Sequence, residues 1–138
     1  MVGQKQKDQA EKWFKDLRDK ICKEFEILEE GHLRLAPESE LAPKKFARKS
    51  TIRETDDKED GGGGVMATLK DGRIFEKVGV NVSAVYGNLA PEAQKSITAR
   101  KAIPELKDDP RFWASGISLV AHMRNPHTPA IHLSLIHI

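Results

Sequence analysis

The chain has 138 residues, with 23 lysines and arginines against 21 aspartates and glutamates, and a formal net charge of +2. Apolar residues make up 38% and charged residues 32%, so we expect part of the chain to lie outside a core. The charge balance excludes a basic nucleic-acid-binding protein, the lack of a long apolar run excludes a membrane helix, and a single cysteine, Cys22, excludes a disulfide scaffold. We therefore expect a cytoplasmic protein that binds no nucleic acid and does not insert into membranes.

The first predicted element is an amphipathic helix over residues 5–30. Apolar residues recur there at steps of three and four, and lysine, aspartate, glutamate and glutamine occupy the other face. Cys22 borders the apolar stripe and is expected to be a small buried residue. The stripe that we expect to face the core comprises Trp13, Phe14, Leu17, Ile21 and Phe25.

Residues 32–60 show no apolar period, are interrupted by Pro37 and Pro43, and are dense in charge. Such a segment buries too little to offset the entropy of ordering, so we expect a mobile surface segment. The four glycines at 61–64 lack the context of a phosphate-binding loop, because a predicted strand rather than a helix follows them. They are either a flexible linker or a place where the backbone comes close to a neighbour or ligand.

The rest of the chain is predicted to form mostly strands. Asp71 and Gly72 separate two strand-like runs within 65–78, which is typical of a hairpin with a two-residue turn. Gly79 is expected to mark a bend or bulge, and a short helix is predicted from Pro91 to about residue 100. Three further strands are predicted at 80–86, 114–122 and 130–138. The fold class is therefore α+β, with the N-terminal helix packed on an antiparallel sheet.

The histidines cluster near the C-terminus. His122 shares a strand face with Ser118, because alternate residues of a strand point to the same side. If the strands flanking the proline-bounded turn pair, His132 approaches His122 near the base of that turn. Two facing imidazoles can bind a metal or act as acid and base. The spacing matches no zinc signature, and chance clustering of polar strand residues explains the pattern about as well.

Several long motifs, in the correct order, resemble the N-terminal part of oxygen-dependent coproporphyrinogen III oxidase. The resemblance runs from about residue 5 to His132, is weakest over 37–58, and covers less than half of a complete family member. The stretches that carry it are 61–64, 70–72, 75–83, 116–122 and 125–132.

The resemblance implies an oxidoreductase of haem biosynthesis that decarboxylates two propionates of coproporphyrinogen III to vinyl groups, giving protoporphyrinogen IX. It implies molecular oxygen as co-substrate and no organic cofactor, and it leaves a divalent metal open. It also implies a homodimer built on a large antiparallel sheet flanked by helices. By motif position, Ser118 matches a substrate-contacting serine and His122 a metal or site histidine. His132 matches the histidine that serves as proton donor and, in some members, as a further metal ligand.

The last six residues, 133–138, depart from the family pattern. An Asn-x-Arg motif that holds a substrate carboxylate normally follows the position of His132. Ser134 and Ile136 stand there instead, and neither offers a cationic donor.

We therefore expect residues 1–138 to be a single partial domain whose sheet is incomplete, with 133–138 as a non-family end and with no oxidase activity by itself. Two other functions stay open. One is a non-catalytic tetrapyrrole-binding module, and the other is a metal-dependent enzyme that uses His122 and His132.

Overall fold

The fold is an antiparallel sheet with a long helix on one face. The computed structural model describes residues 3–31, 40–55, 57–100 and 108–138. Its elements are α1 (Gln4–Gly31), β1 (Ala47–Glu54), β2 (Asp60–Lys70), β3 (Phe75–Asn88), α2 (Pro91–Arg100), β4 (Arg111–Met123) and β5 (Ile131–His137). Every strand pairs antiparallel with its neighbours along the chain, in the order β1-β2-β3-β4-β5. The predicted α+β class, with an N-terminal helix and an antiparallel sheet, is confirmed.

Helix α1 buries a stripe that differs from the predicted one at Trp13. Phe14 is only 4% exposed, whereas the neighbouring Trp13 is 54% exposed and contacts Phe14 edge-on at a ring-centroid distance of 5.4 Å. The buried line continues through Arg18, Cys22 and Glu29, so two charged residues occupy positions on the packed face. The prediction that Trp13 faces the core is therefore wrong, because the stripe is centred one residue further along the helix.

Cys22 is buried, as predicted. Its burial raises the pKa of the thiol to about 11, because loss of water penalises the thiolate.

The core lies between α1 and the middle of the sheet. Phe25 of α1 stacks on Phe75 at the start of β3, with ring centroids 4.6 Å apart. The buried apolar residues of the strands are Ala67, Leu69, Val78, Val80, Val82, Ile117, Leu119 and Ala121. They follow the two-residue period of strands, so α1 covers one face of the sheet and the alternate residues form the other face.

Strand β1 was not predicted from the sequence. All eight residues of Ala47–Glu54 are exposed, and they pair with β2 from Ala47–Thr68 to Glu54–Asp60. These residues lie within the segment 32–60 that was expected to be mobile, and the structure places them in the sheet. An edge strand without a buried face has no hydrophobic alternation by which it could be recognised. Residues 32–39 and 56, which fall in the same segment, lie outside the described residues.

The glycines 61–64 belong to β2, so the linker interpretation is wrong and that of close backbone approach is correct. A methyl group at Gly63 would overlap the Thr51 carbonyl of β1. At Gly64 it would overlap the Val82 carbonyl and come within 2.9 Å of Ser83 Cα of β3. Glycine is required because the strands on both sides leave no room for a side chain.

The connection between β2 and β3 is a four-residue loop, not the predicted two-residue turn. Asp71 has a positive φ of 55°, and β3 begins only at Phe75. The Glu29 side chain of α1, which is fully buried, occupies the loop. Its Oε2 accepts from the Arg73 amide at 2.6 Å, and its Oε1 accepts from the amides of Ile74 and Phe75 at 2.8 and 2.9 Å. Two backbone hydrogen bonds close the loop, from the Asp71 amide to the Glu76 carbonyl and from the Gly72 amide to the Phe75 carbonyl, and the carboxylate binds the amides at its tip.

Gly72 allows this contact. A Cβ at Gly72 would collide with the Glu29 carboxylate. From the other side, the Arg124 guanidinium donates to the Gly72 carbonyl through Nε and Nη2 at 3.1 and 3.0 Å. The loop therefore joins the end of α1 to the end of β4.

The other predicted elements agree with the structure, with one exception. Helix α2 and strands β4 and β5 are found where they were predicted. Gly79 marks no bend, because β3 runs through it and pairs it with Thr68 and Val120. Neither helix in the described part of the chain combines the length and apolar character needed to cross a membrane.

Candidate active site

The face of the sheet opposite α1 carries the polar residues singled out from the sequence. We call it the open face. The register aligns one row of side chains across four strands: Met66 on β2, Asn81 on β3, Ser118 on β4 and Ser134 on β5. Ser118 is exposed. It borders a depression of about 340 Å³ on this face, which Asn81 and His122 also line.

His122 and His132 meet on the open face, as the sequence predicted. His132 of β5 pairs with Val120 of β4, and His122 lies two residues further along β4 on the same side. Their ring centroids are 5.7 Å apart and the ring planes are inclined by 56°. Both side chains are exposed; His122 lines the depression, and His132 lies across from Val120, which also lines it.

The histidine pair supplies two nitrogen ligands for a metal. Within the described ranges, no group of three or more His, Cys, Asp or Glu residues could hold a metal ion. Protein sites for catalytic zinc use three protein ligands, so any metal bound by His122 and His132 needs further ligands from elsewhere.

The charge on the open face is positive. Lys77 of β3 pairs directly with His122 of β4 and with Lys70 of β2. Lys49 of β1 lies opposite Met66. Among the described residues whose side chains share these rows, none is an aspartate or glutamate. The field over the depression therefore favours an anionic ligand.

The remaining described histidines lie away from this pair. His127 is in the turn before β5, where its amide donates to Asn125 Oδ1 at 2.9 Å. His137 lies on the opposite side of β5 and contacts Trp113 edge-on, with ring centroids 6.1 Å apart. Neither residue borders the depression.

Asn81 was not among the site residues predicted from the sequence. Its Oδ1 atom is buried and has no hydrogen-bond partner among the described residues. Asn81 stands between Val80 and Val82, which are both buried core residues of β3. Asparagine is a poor strand former, so an amide within such a run of β-branched residues was the available signal.

A family model described as Coproporphyrinogen III oxidase matches residues 9–137. The chain is also similar to curated proteins named "Oxygen-dependent coproporphyrinogen-III oxidase". The relative from Rickettsia felis is 46% identical over 132 residues, which are 96% of this chain and 42% of that protein. The relative from Rickettsia bellii is 42% identical over 137 residues, which are 99% of this chain and 44% of that protein. The chain thus spans less than half the length of these relatives.

Proposed function

The chain belongs to the coproporphyrinogen III oxidase family, and from this membership we propose that it is part of an enzyme that converts coproporphyrinogen III to protoporphyrinogen IX. In this reaction two propionate side chains each lose carbon dioxide and a β-hydrogen to become vinyl groups, and molecular oxygen accepts the electrons. The observation that best supports the proposal is the meeting of Ser118, His122 and His132 on one open, cationic sheet face.

The positive charge of the open face is complementary to the negative charge of this substrate. Coproporphyrinogen III carries four propionates, and Lys77 stands beside His122 with no described carboxylate in the same rows. We propose that Ser118 contacts the substrate, because its hydroxyl is exposed at the centre of the face and can donate or accept a hydrogen bond.

We propose that His132 exchanges a proton with the substrate. Histidine is the side chain whose charge state ordinarily changes near neutral pH, so it serves as donor or acceptor without a strong base. His132 is exposed on the open face, and the His122 ring lies at 5.7 Å. A second imidazole at that distance can stabilise the substrate or share a divalent metal, whose other ligands would lie outside the described residues.

The wider assignments follow from the family alone. We propose molecular oxygen as co-substrate with no organic cofactor, a role in haem biosynthesis in the cytoplasm, and a homodimer. The single-domain assignment has structural support, since all five strands belong to one sheet. Leu133 and Leu135 of β5 remain 45% and 46% exposed, and we propose that other parts of a full-length enzyme cover them.

The test uses what we call the extended chain, in which residues 1–132 of this sequence are joined to the part of the Rickettsia felis relative that follows its counterpart of His132. We expect it to take up oxygen with coproporphyrinogen III and to form protoporphyrinogen IX, measured by fluorescence after oxidation. The 138-residue chain alone provides the baseline. Failure of a folded extended chain to turn over would contradict the proposed function.

The His132 role is tested in the same assay. His132→Ala is expected to lower turnover by roughly 10²- to 10⁴-fold, the usual effect of losing a general acid or base. His127→Ala is the matched control, because His127 lies in a turn outside the depression. Equal activity of both variants would remove His132 from the mechanism. A stoichiometric metal that is lost in His122→Ala and His132→Ala would instead indicate a metal-dependent reaction.

A further inference from the structure

Asn81 occupies the middle strand of the open face. Met66 lies opposite it on β2 and Ser118 on β4. The buried Oδ1 has no hydrogen-bond partner among the described residues. Burying an unpaired carbonyl costs free energy, so its retention in a strand of valines calls for a partner that the described residues do not supply.

The sheet beside Asn81 is open. Gly79, the next residue of β3 on the same side, carries no side chain, and a Cβ there would meet only Met66 Sδ, at 3.7 Å. The floor of the depression therefore includes bare backbone next to the amide. A broad ligand can approach the backbone at Gly79 without displacing a side chain there.

Positively charged residues lie around the floor of the depression. Lys77 lies four residues from Asn81 along β3, about 13 Å of strand, and Lys49 lies two strands away. Lysine side chains bridge part of such distances and keep their ammonium groups in water. The open face thus has one unpaired acceptor near its centre and cations towards its edges.

A reduced tetrapyrrole has the complementary pattern, with pyrrole N–H donors inside the ring and carboxylates around it. We infer that Asn81 is a substrate-binding residue whose side-chain carbonyl accepts a pyrrole N–H of coproporphyrinogen III. This inference rests on the proposed function and names the contact that orients the ring. The amide reaches the ligand by turning about its Cβ–Cγ bond, a torsion with a broad minimum.

The test compares Asn81→Leu and Asn81→Ala in the extended chain. Both variants remove the acceptor, and the loss of one neutral hydrogen bond should raise KM and the anaerobic Kd for coproporphyrinogen III by roughly 3- to 10-fold. Turnover at saturation should change less. Thr68→Val is the matched control, since Thr68 lies on the same face but outside the depression, and its KM should stay within about 2-fold.

Thermal unfolding separates a binding role from a structural one. Asn81→Leu should leave Tm unchanged or raise it, because the variant removes an unpaired buried carbonyl. A lower Tm, or an unchanged KM and Kd in both variants of an active protein, would overturn the inference and leave the proposed function intact. If the unsubstituted extended chain neither binds nor converts coproporphyrinogen III, both proposals are wrong.

Discussion

Removing the Glu29 carboxylate should detach the β2–β3 loop from α1. In Glu29→Ala, three amide donors, those of Arg73, Ile74 and Phe75, lose their acceptor. Each hydrogen bond to a charged group contributes about 1.5–3 kcal/mol. Water can satisfy some of the freed donors at the loop surface, so we expect the free energy of unfolding to fall by about 3–5 kcal/mol, below the full sum. That is a large fraction of the stability of a domain of this size.

A substitution at Gly72 also tests the contact between the β2–β3 loop and the Glu29 carboxylate. Its φ is not in the left-handed region, so Gly72→Ala should act mainly through the collision of the new Cβ with the Glu29 carboxylate. We expect a loss of about 2–4 kcal/mol in the unsubstituted chain but less than about 1 kcal/mol in a Glu29→Ala background. Such a double-mutant cycle isolates the coupling between the two residues.

The assay is urea unfolding followed by circular dichroism, combined with amide hydrogen exchange. Glu30→Ala is the matched control, because Glu30 is the next residue of α1 and is exposed. Exchange at Arg73, Ile74 and Phe75 should accelerate in Glu29→Ala and not in Glu30→Ala. The proposed coupling would be refuted if the losses of unfolding free energy in Glu29→Ala and Gly72→Ala simply add in the double variant. Unchanged exchange at the three amides would refute it as well.

Three further predictions concern the core, the thiol and the glycines. Phe14→Ala should cost about 3–5 kcal/mol of stability and Trp13→Ala less than about 1.5 kcal/mol, because only Phe14 is buried; equal costs in urea unfolding would contradict the observed stripe. With a pKa of about 11, Cys22 is about 0.1% thiolate at pH 8, so a thiol reagent should label it only after unfolding. The pKa of Cys22 is higher in the folded chain than in the unfolded chain. Its contribution to the free energy of unfolding should therefore be fully present below pH 9 and decline as the pH rises towards 11. Rapid labelling of the folded chain at pH 8 would argue against burial. Gly64→Ala should destabilise by about 1–3 kcal/mol through its collision with β3. Gly79→Ala should be neutral or stabilising in thermal melts, because its Cβ would make only an ordinary contact with Met66 Sδ at 3.7 Å. The reverse order would be inconsistent with the strand spacing.

The sequence predicted those elements in which side-chain pattern and burial coincide. Helix α1 and strand β4 each bury one regular stripe, so their periods were readable. Strand β5 was recognised although it is exposed throughout, because its side chains alternate between apolar and polar over 131–135. Strand β1 has no buried side, and the glycines 61–64 have no side chains at all, so pattern could identify neither. Their place in the sheet depends on backbone pairing with partners elsewhere in the chain.

Part of the candidate site was predicted in the same way. The strand period placed Ser118 and His122 on one side, and pairing across the turn brought His132 to them. Glu29 was missed because a glutamate among many charged helix residues does not reveal a partner 44 residues away. Asn81 was missed because its significance depends on an unpaired atom, which only the arrangement of neighbouring strands reveals.

The order of the strands has a consequence for how the chain folds during synthesis. Each strand pairs with the one before it, so each pairing can form as the second strand emerges, and only the β3–β4 pairing must span a long connection, residues 89–110. Helix α1 is made before the strands, yet the amides that hold its Glu29 belong to residues 73–75. Until those residues leave the ribosome, Glu29 stays hydrated and the apolar stripe of α1 has no sheet to cover. Docking of α1 on the sheet is therefore a late step that joins distant parts of the chain. The nascent chain is most exposed to non-native contacts before the loop after β2 closes around the Glu29 carboxylate.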